Sequence, residues 1–219
     1  MKIWVALVLI LSIGCCLTGC KPSKQEASGI QELPIQAVSS YIIIHPSQKG
    51  VDAFLKALGN DTPAYENDTC YNITPSLISD KSNYQVFKFD QSCNSYLFYN
   101  NSVYQLGTAF GGYGVTSVAL ADMNKDTLYE LYFTCSFGSG IHRSQIGYFD
   151  PAKKQVVMFD PSYMDIDCIL HLDNNDLCVS ESDIILKSFV DFKSTAKNEL
   201  GTISYINGLI QYNDYTQID

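Results

Sequence analysis

Positive charge is what this chain has least of. Its 219 residues carry 14 lysines and arginines against 23 aspartates and glutamates, and the only arginine is Arg143. A net charge of −9 argues against a nucleic-acid partner and against docking on an anionic membrane surface, and it suits a cation or a basic partner. Histidine is scarce as well, limited to His45, His142 and His171, so acid-base catalysis has few groups to draw on. Ser139 stands in Phe137-Gly138-Ser139-Gly140, which lacks the G-x-S-x-G spacing of a nucleophile elbow. No Cys-x-x-Cys occurs after residue 20, which argues against zinc-finger and thioredoxin-like chemistry. Gly111-Gly112-Tyr113-Gly114 is not the G-x-G-x-x-G of a dinucleotide site, and no βαβ pattern follows it. Self-similarity at a fixed period is missing too, which on this length excludes a full propeller.

What is present begins at the amino terminus. Lys2 precedes an apolar run from Ile3 to Ile13, and small residues then lead to Leu17-Thr18-Gly19-Cys20. A charged start, a short apolar core and small residues make a secretory signal, too short for a stable membrane span. The Leu-Thr-Gly-Cys end resembles the lipobox of bacterial lipoproteins. That resemblance implies cleavage between Gly19 and Cys20, acylation of Cys20, and attachment to the extracytoplasmic side of the cell membrane. Read without it, the stretch is an ordinary signal followed by a cysteine. The expected organisation is a signal peptide over 1–19, a lipid-anchored flexible tether over 20–34 and one extracytoplasmic domain over 35–219. Lys21 to Gly29 is polar, rich in small residues and unpatterned, as a tether should be.

Removal of residues 1–19 takes away one charge, Lys2, and moves the net charge from −9 to −10. The 200 residues that remain are enough for one domain with a sizeable core. Five cysteines follow Cys20: Cys70, Cys93, Cys135, Cys168 and Cys178. An exported chain permits disulfides, and the odd number leaves at least one thiol over. Cys168 and Cys178 flank the turn-like Asp173-Asn174-Asn175-Asp176 and are placed to face one another across a hairpin. Cys70 and Cys93 are placed to close a second loop, and Cys135 reads as a small buried residue in a strand.

From Tyr84 onward, short aromatic and β-branched runs alternate with Asn, Ser and Asp. Strands are expected over 84–89, 95–99, 103–106, 115–120, 130–134 and 145–149. Asn207-Gly208 between Ile203–Ile206 and Leu209–Tyr212 predicts a hairpin with a type I′ turn. Gly50 to Leu58 predicts a helix, with Val51, Phe54, Leu55 and Leu58 on one face. The expected fold is mainly β, an antiparallel, hairpin-rich meander of partial propeller-like or sandwich form with a short N-terminal helix.

One inter-strand loop carries chemistry. Asp122, Asn124 and Asp126 place oxygens at alternate positions, the Leu128 carbonyl follows at position 7, and Glu130 supplies an acid at position 9. Such a set suits a hard cation, Ca²⁺. It is not an EF-hand, because position 12 is Phe133 and the flanks alternate like strands. With its flanks the loop resembles the calcium loops of FG-GAP and VCBS-type repeats, where such a loop joins two strands of a propeller blade. The resemblance covers roughly residues 115–135. Thr127 stands where that family has glycine, and Glu130 where it has aspartate. The alternative is an acidic hairpin turn in which Asp122 and Asn124 cap backbone N–H groups without metal.

Downstream, Ser139, His142 and Arg143 are candidate ligand-binding residues. Gly138 and Gly140 permit close backbone approach, and Arg143 is suited to a carboxylate or phosphate. The competing reading pairs Arg143 with an acidic side chain inside a Gly-rich turn. The stretch Tyr129–Ser144 also resembles uncharacterised lipoproteins of Gram-positive bacteria, a resemblance that implies no activity. The expected function is a calcium-stabilised binding or interaction module on a membrane anchor, facing a protein or small-molecule ligand. The alternative is an envelope or extracellular hydrolase centred on His142 and Arg143.

Overall fold

In the computed structural model, the runs expected as strands pair with their nearest neighbours in sequence. The structure describes residues 41–215 apart from 61–64, 66, 109 and 175. The expected signal peptide, the anchor Cys20 and the tether lie outside these residues. Among the described residues no helix is long and apolar enough to cross a membrane.

Three antiparallel meanders follow one another. The first joins β2 (Cys70–Asn72), β3 (Gln85–Phe89), β4 (Ser95–Tyr99) and β5 (Ser102–Gln105) in order. The second joins β6 (Gly114–Ala121), β7 (Glu130–Phe137), β8 (Arg143–Asp150) and β9 (Gln155–Met158). The third joins β10 (Cys168–Asp173), β11 (Asp176–Ser188), β12 (Asp191–Ile206) and β13 (Leu209–Asp214). The 16-residue β12 outruns β13, and its first residues take β1 (Tyr41–Ile44) as a fifth strand of that sheet. The mainly β, antiparallel expectation therefore holds. The β12–β13 turn has Asn207 and Gly208 both at positive φ (52° and 85°), as a type I′ turn requires. The chain before Tyr84, left open by its sequence, supplies β1, β2 and a short α2 (Ser76–Ser79) as well as the expected helix α1 (Val51–Leu58).

Packing explains the patterns. Helix α1 buries Val51, Phe54 and Leu58 on the outer face of the first sheet, where Phe54 stacks on Phe87 at 4.3 Å. The inner face of that sheet meets the second sheet in a cluster that includes Val86, Leu97, Val118, Leu120, Phe133 and Phe149. The other face of the second sheet packs on the third through Ala119, Tyr132, Tyr148, Leu170, Val179 and Ile203. With both faces covered, every residue of β6 is buried, and so is all of β7 except Phe137. Burial on both faces lets β6 and β7 do without polar alternation.

The hydroxyls buried in the middle sheet have a role. β10 is an edge strand, and its exposed backbone groups are met by side chains of β6 and β8. Ser117 Oγ accepts the Leu170 N–H at 2.8 Å, Ser144 Oγ accepts the Cys168 N–H at 2.9 Å, and Thr116 donates to the Cys168 carbonyl at 3.0 Å.

The expected disulfides do not form. All five cysteines among the described residues are free and buried. Register gives the reason for one pair: Cys168 lies opposite Glu181 and Cys178 opposite His171, an odd offset that sends the two thiols to opposite faces. Cys70 faces helix α1 in the outer cluster, away from Cys93 in the β3–β4 turn. Cys135 is the small buried strand residue it was expected to be.

Candidate functional site

Two assemblies stand at opposite ends of the middle sheet. Strand β7 separates them, and its eight residues span about 25 Å at 3.3 Å per residue.

The acidic loop runs from the end of β6 to Glu130 at the start of β7. Asp122 accepts the Asp126 and Thr127 N–H groups at 3.1 and 2.9 Å, and Asn124 Oδ1 accepts the Asp126 N–H at 2.9 Å. Asp126 Oδ1 accepts the Leu128 N–H at 2.8 Å, and the Asn124 amide donates to Asp126 Oδ2. The capping half of the sequence expectation is therefore present. The curl also brings carboxylate oxygens of Asp122, Asp126 and Glu130 within 4.8 Å of one another, with Asn124 joined to Asp126 beside them. The Leu128 side chain is exposed. Glu130 is buried, and burial pushes its carboxyl up to about 7, with Asp122 adding repulsion. Hydrogen bonds from the Met123 N–H and the Tyr132 hydroxyl act the other way. A divalent cation would offset the crowding of these three acids. Thr127 sits at φ 74°, in the left-handed region that favours glycine.

At the other end, turns from all three sheets converge. The β3–β4 turn (Gln91–Cys93), the β5–β6 connection (Gly111–Tyr113), the β7–β8 turn (Gly138–His142) and the β11–β12 end (Leu186, Phe189) line an open cleft of about 470 Å³. Gly112, at φ 66°, permits this convergence: a Cβ there would stand 2.5 Å from the Phe137 backbone. A parallel bridge joins Gly111 to Gly138, and the Gly138 N–H donates to the Phe110 carbonyl at 2.6 Å.

Ser139 and His142 both line the cleft. Ser139 is exposed, between two glycines. His142 is held: its Nδ1 lies 3.1 Å from Asp167 Oδ2, while Asp167 Oδ1 accepts the buried Ser136 hydroxyl at 2.5 Å. The Tyr113 ring meets the imidazole edge-on at 4.4 Å, and Phe189 lies 6.2 Å beyond Tyr113. Burial and the Asp167 carboxylate raise the Tyr113 phenol above its ordinary value. Arg143 does not join them. Its Nε donates to Asp165 at 2.7 Å and its guanidinium lies over the Tyr163 ring, which is the paired reading of that residue. His142 ends the β7–β8 turn and Arg143 opens β8, and successive residues of extended chain project to opposite sides.

Asp167, Tyr113 and Phe189 were not visible as site residues in the sequence. Asp167 lies 25 positions from His142, in the stretch between β9 and β10, and no local spacing marks it. No protein-family model matches this chain, and no curated protein or solved structure matches it either.

Proposed function

We propose that this chain is a lipid-anchored extracytoplasmic binding protein. Cys20 is its anchor, Ca²⁺ at Asp122, Asn124, Asp126, Leu128 and Glu130 braces the β6–β7 loop, and the cleft at the far end of β7 receives a ligand. The observation that carries the reading is the convergence of turns from three sheets on one cleft with glycine backbone, aromatic rings and a single oriented imidazole. An open cleft of this size, with polar and apolar groups mixed in its lining, suits a small molecule or a peptide end. The distance from the acidic loop makes the cation a structural brace and leaves ligand contact to Tyr113, Ser139, His142 and Phe189. The FG-GAP-like resemblance adds that such loops in that family hold calcium between blade strands.

One observation favours a second reading. An imidazole fixed by a carboxylate, with Ser139 in the same cleft, is the orienting half of a hydrolytic site.

The two readings are separated by one reporter. The only tryptophan is Trp4, in the expected signal, so Phe189→Trp places a lone indole at the cleft of the processed protein. Free amino acids, short peptides and saccharides are titrated while emission is followed and the recovered compounds are weighed by mass spectrometry. A saturable emission change that His142→Ala weakens, with the compound returned intact, supports binding. Cleavage that depends on His142 and Asp167 replaces that reading with the hydrolase.

A further inference from the structure

The third sheet holds a donor set that neither the cleft nor the acidic loop uses. It sits beside the β10–β11 turn, about 25 Å along β11 from the cleft. His171 of β10, Cys178 of β11 and Glu199 of β12 bring a ring nitrogen, a sulfur and a carboxylate oxygen within 4.8 Å of one another. The ladder explains the meeting. His171 lies directly opposite Cys178, so both side chains project from one face. On β12, Gly201 pairs with Val179 and Glu199 with Ser180, which leaves Leu200 as an extra residue. A bulge of this kind re-aims its neighbours, and here it turns Glu199 back toward Cys178.

The imidazole supplies an independent observation. His171 is 8% exposed, and its buried Nδ1 has no hydrogen-bond partner. Its Nε2 is 3.9 Å from Glu199 Oε2, too far for a hydrogen bond. A buried polar ring left so poorly satisfied costs stability unless something occupies it. The Cys178 thiol, meanwhile, donates to the Asp176 carbonyl at 3.7 Å, with the Glu199 carboxylate close by.

We propose that His171, Cys178 and Glu199 form a binding site for a zinc-type transition-metal cation. Sulfur and imidazole nitrogen select such borderline ions over Ca²⁺ and Mg²⁺, which take oxygen. Bonds of about 2.0–2.3 Å in a tetrahedron put neighbouring donors about 3.4–3.8 Å apart, so the present spacing closes with small side-chain movements. On binding, the Cys178 proton passes to solvent, the sulfur exchanges its hydrogen bond to the Asp176 carbonyl for the metal as a thiolate, and the Glu199 carboxylate completes the protein donors. Glu199 is exposed, so the fourth position opens to water or an incoming donor. The missing Cys-x-x-Cys excludes only sites made from neighbouring cysteines; these donors come from three separate strands.

The test uses the full chain in detergent, with calcium in excess so that the acidic loop does not report. Co²⁺ alone is titrated, then displaced with Zn²⁺. The expected result is a sulfur-to-cobalt charge-transfer band that saturates at a single equivalent, disappears in Cys178→Ser and yields to Zn²⁺. Glu199→Gln, at an exposed position, should keep the apo melting temperature and bind Co²⁺ at least about tenfold more weakly. Absence of the band, its survival in Cys178→Ser, or unaltered affinity in Glu199→Gln overturns the proposal. Where Cys178→Ser fails to fold, the affinity of Glu199→Gln decides.

Discussion

Two residues stand in places their chemistry disfavours, and each makes a prediction. Lys88 is fully buried where the three sheets meet. Its Nζ donates to the Val115 carbonyl at 3.3 Å and lies 4.7 Å from the centre of the Phe192 ring. Burial pushes its pKa down to about 8, with the nearby Cys93, Cys135 and Asp90 acting upward. Below pH 8 the ammonium is charged in both the folded and unfolded states, and the fold bears its desolvation cost. Between about 8 and 10.5 the unfolded chain holds a proton that the folded chain has released, so this group makes stability rise with pH. The buried tyrosines and cysteines titrate in the opposite sense, so the readout is the difference between two proteins. Lys88→Met should be the more stable at pH 7, by up to about 3 kcal/mol, and the gap should close toward pH 10.5. Urea unfolding across that range tests it, and a gap independent of pH would sink the assignment. Thr127 is the second case. A β-branched residue at φ 74° is strained, and Thr127→Gly should raise stability by roughly 1 kcal/mol, read as a higher melting temperature. A lower melting temperature would show that Thr127 makes a contact worth more than its strain. That position was legible in the sequence, because the family resemblance puts glycine there. Lys88 was not, because a lysine between Phe87 and Phe89 alternates as a solvent-facing strand residue should, and only the second and third sheets closing over that face, at Val115 and Phe192, bury it.

Among elements, the outcome followed how local each signal is. The Asn207-Gly208 hairpin, helix α1 and the six central strands depend on neighbours in sequence, and they form close to where expected. The cysteine pairs, the His142–Asp167 contact and the third-sheet donors depend on register between distant strands, which no short window encodes. The docking of β10 on the middle sheet is of the second kind. Ser117→Ala removes the acceptor of the Leu170 N–H and leaves that donor buried without a partner, at a cost of about 1–3 kcal/mol. Chemical denaturation should register that loss, whereas Ser139→Ala, exposed in the β7–β8 turn, should change stability little. Equal losses in the two variants would refute the docking role of Ser117. The acidic loop is an element-scale device as well. Ca²⁺ that binds only the folded state stabilises by about 2.7 kcal/mol at a hundredfold excess over its Kd. Melting should therefore rise by several degrees with calcium over chelator, and Asp126→Ala should abolish the rise. No shift would leave the loop as a self-capped turn.

For the whole molecule, the proposed anchor makes charge and lipid separable contributions to where it would reside. With residues 1–19 removed, the net charge of −10 repels an anionic surface, so electrostatics cannot hold this body to a membrane. Acyl chains can: each buried CH₂ contributes about 0.8 kcal/mol, and more than one chain is needed for stable attachment. The anchoring proposal therefore predicts a particular pattern of release. The protein should stay with the membrane through high-salt washes, leave it in detergent, and incorporate a metabolically supplied fatty acid. Cys20→Ala should lose both label and membrane association while the released body keeps its melting temperature. Release of the unaltered protein by salt, or retention of the label in Cys20→Ala, would place the attachment elsewhere and reduce the lipobox to an ordinary signal with a cysteine after it.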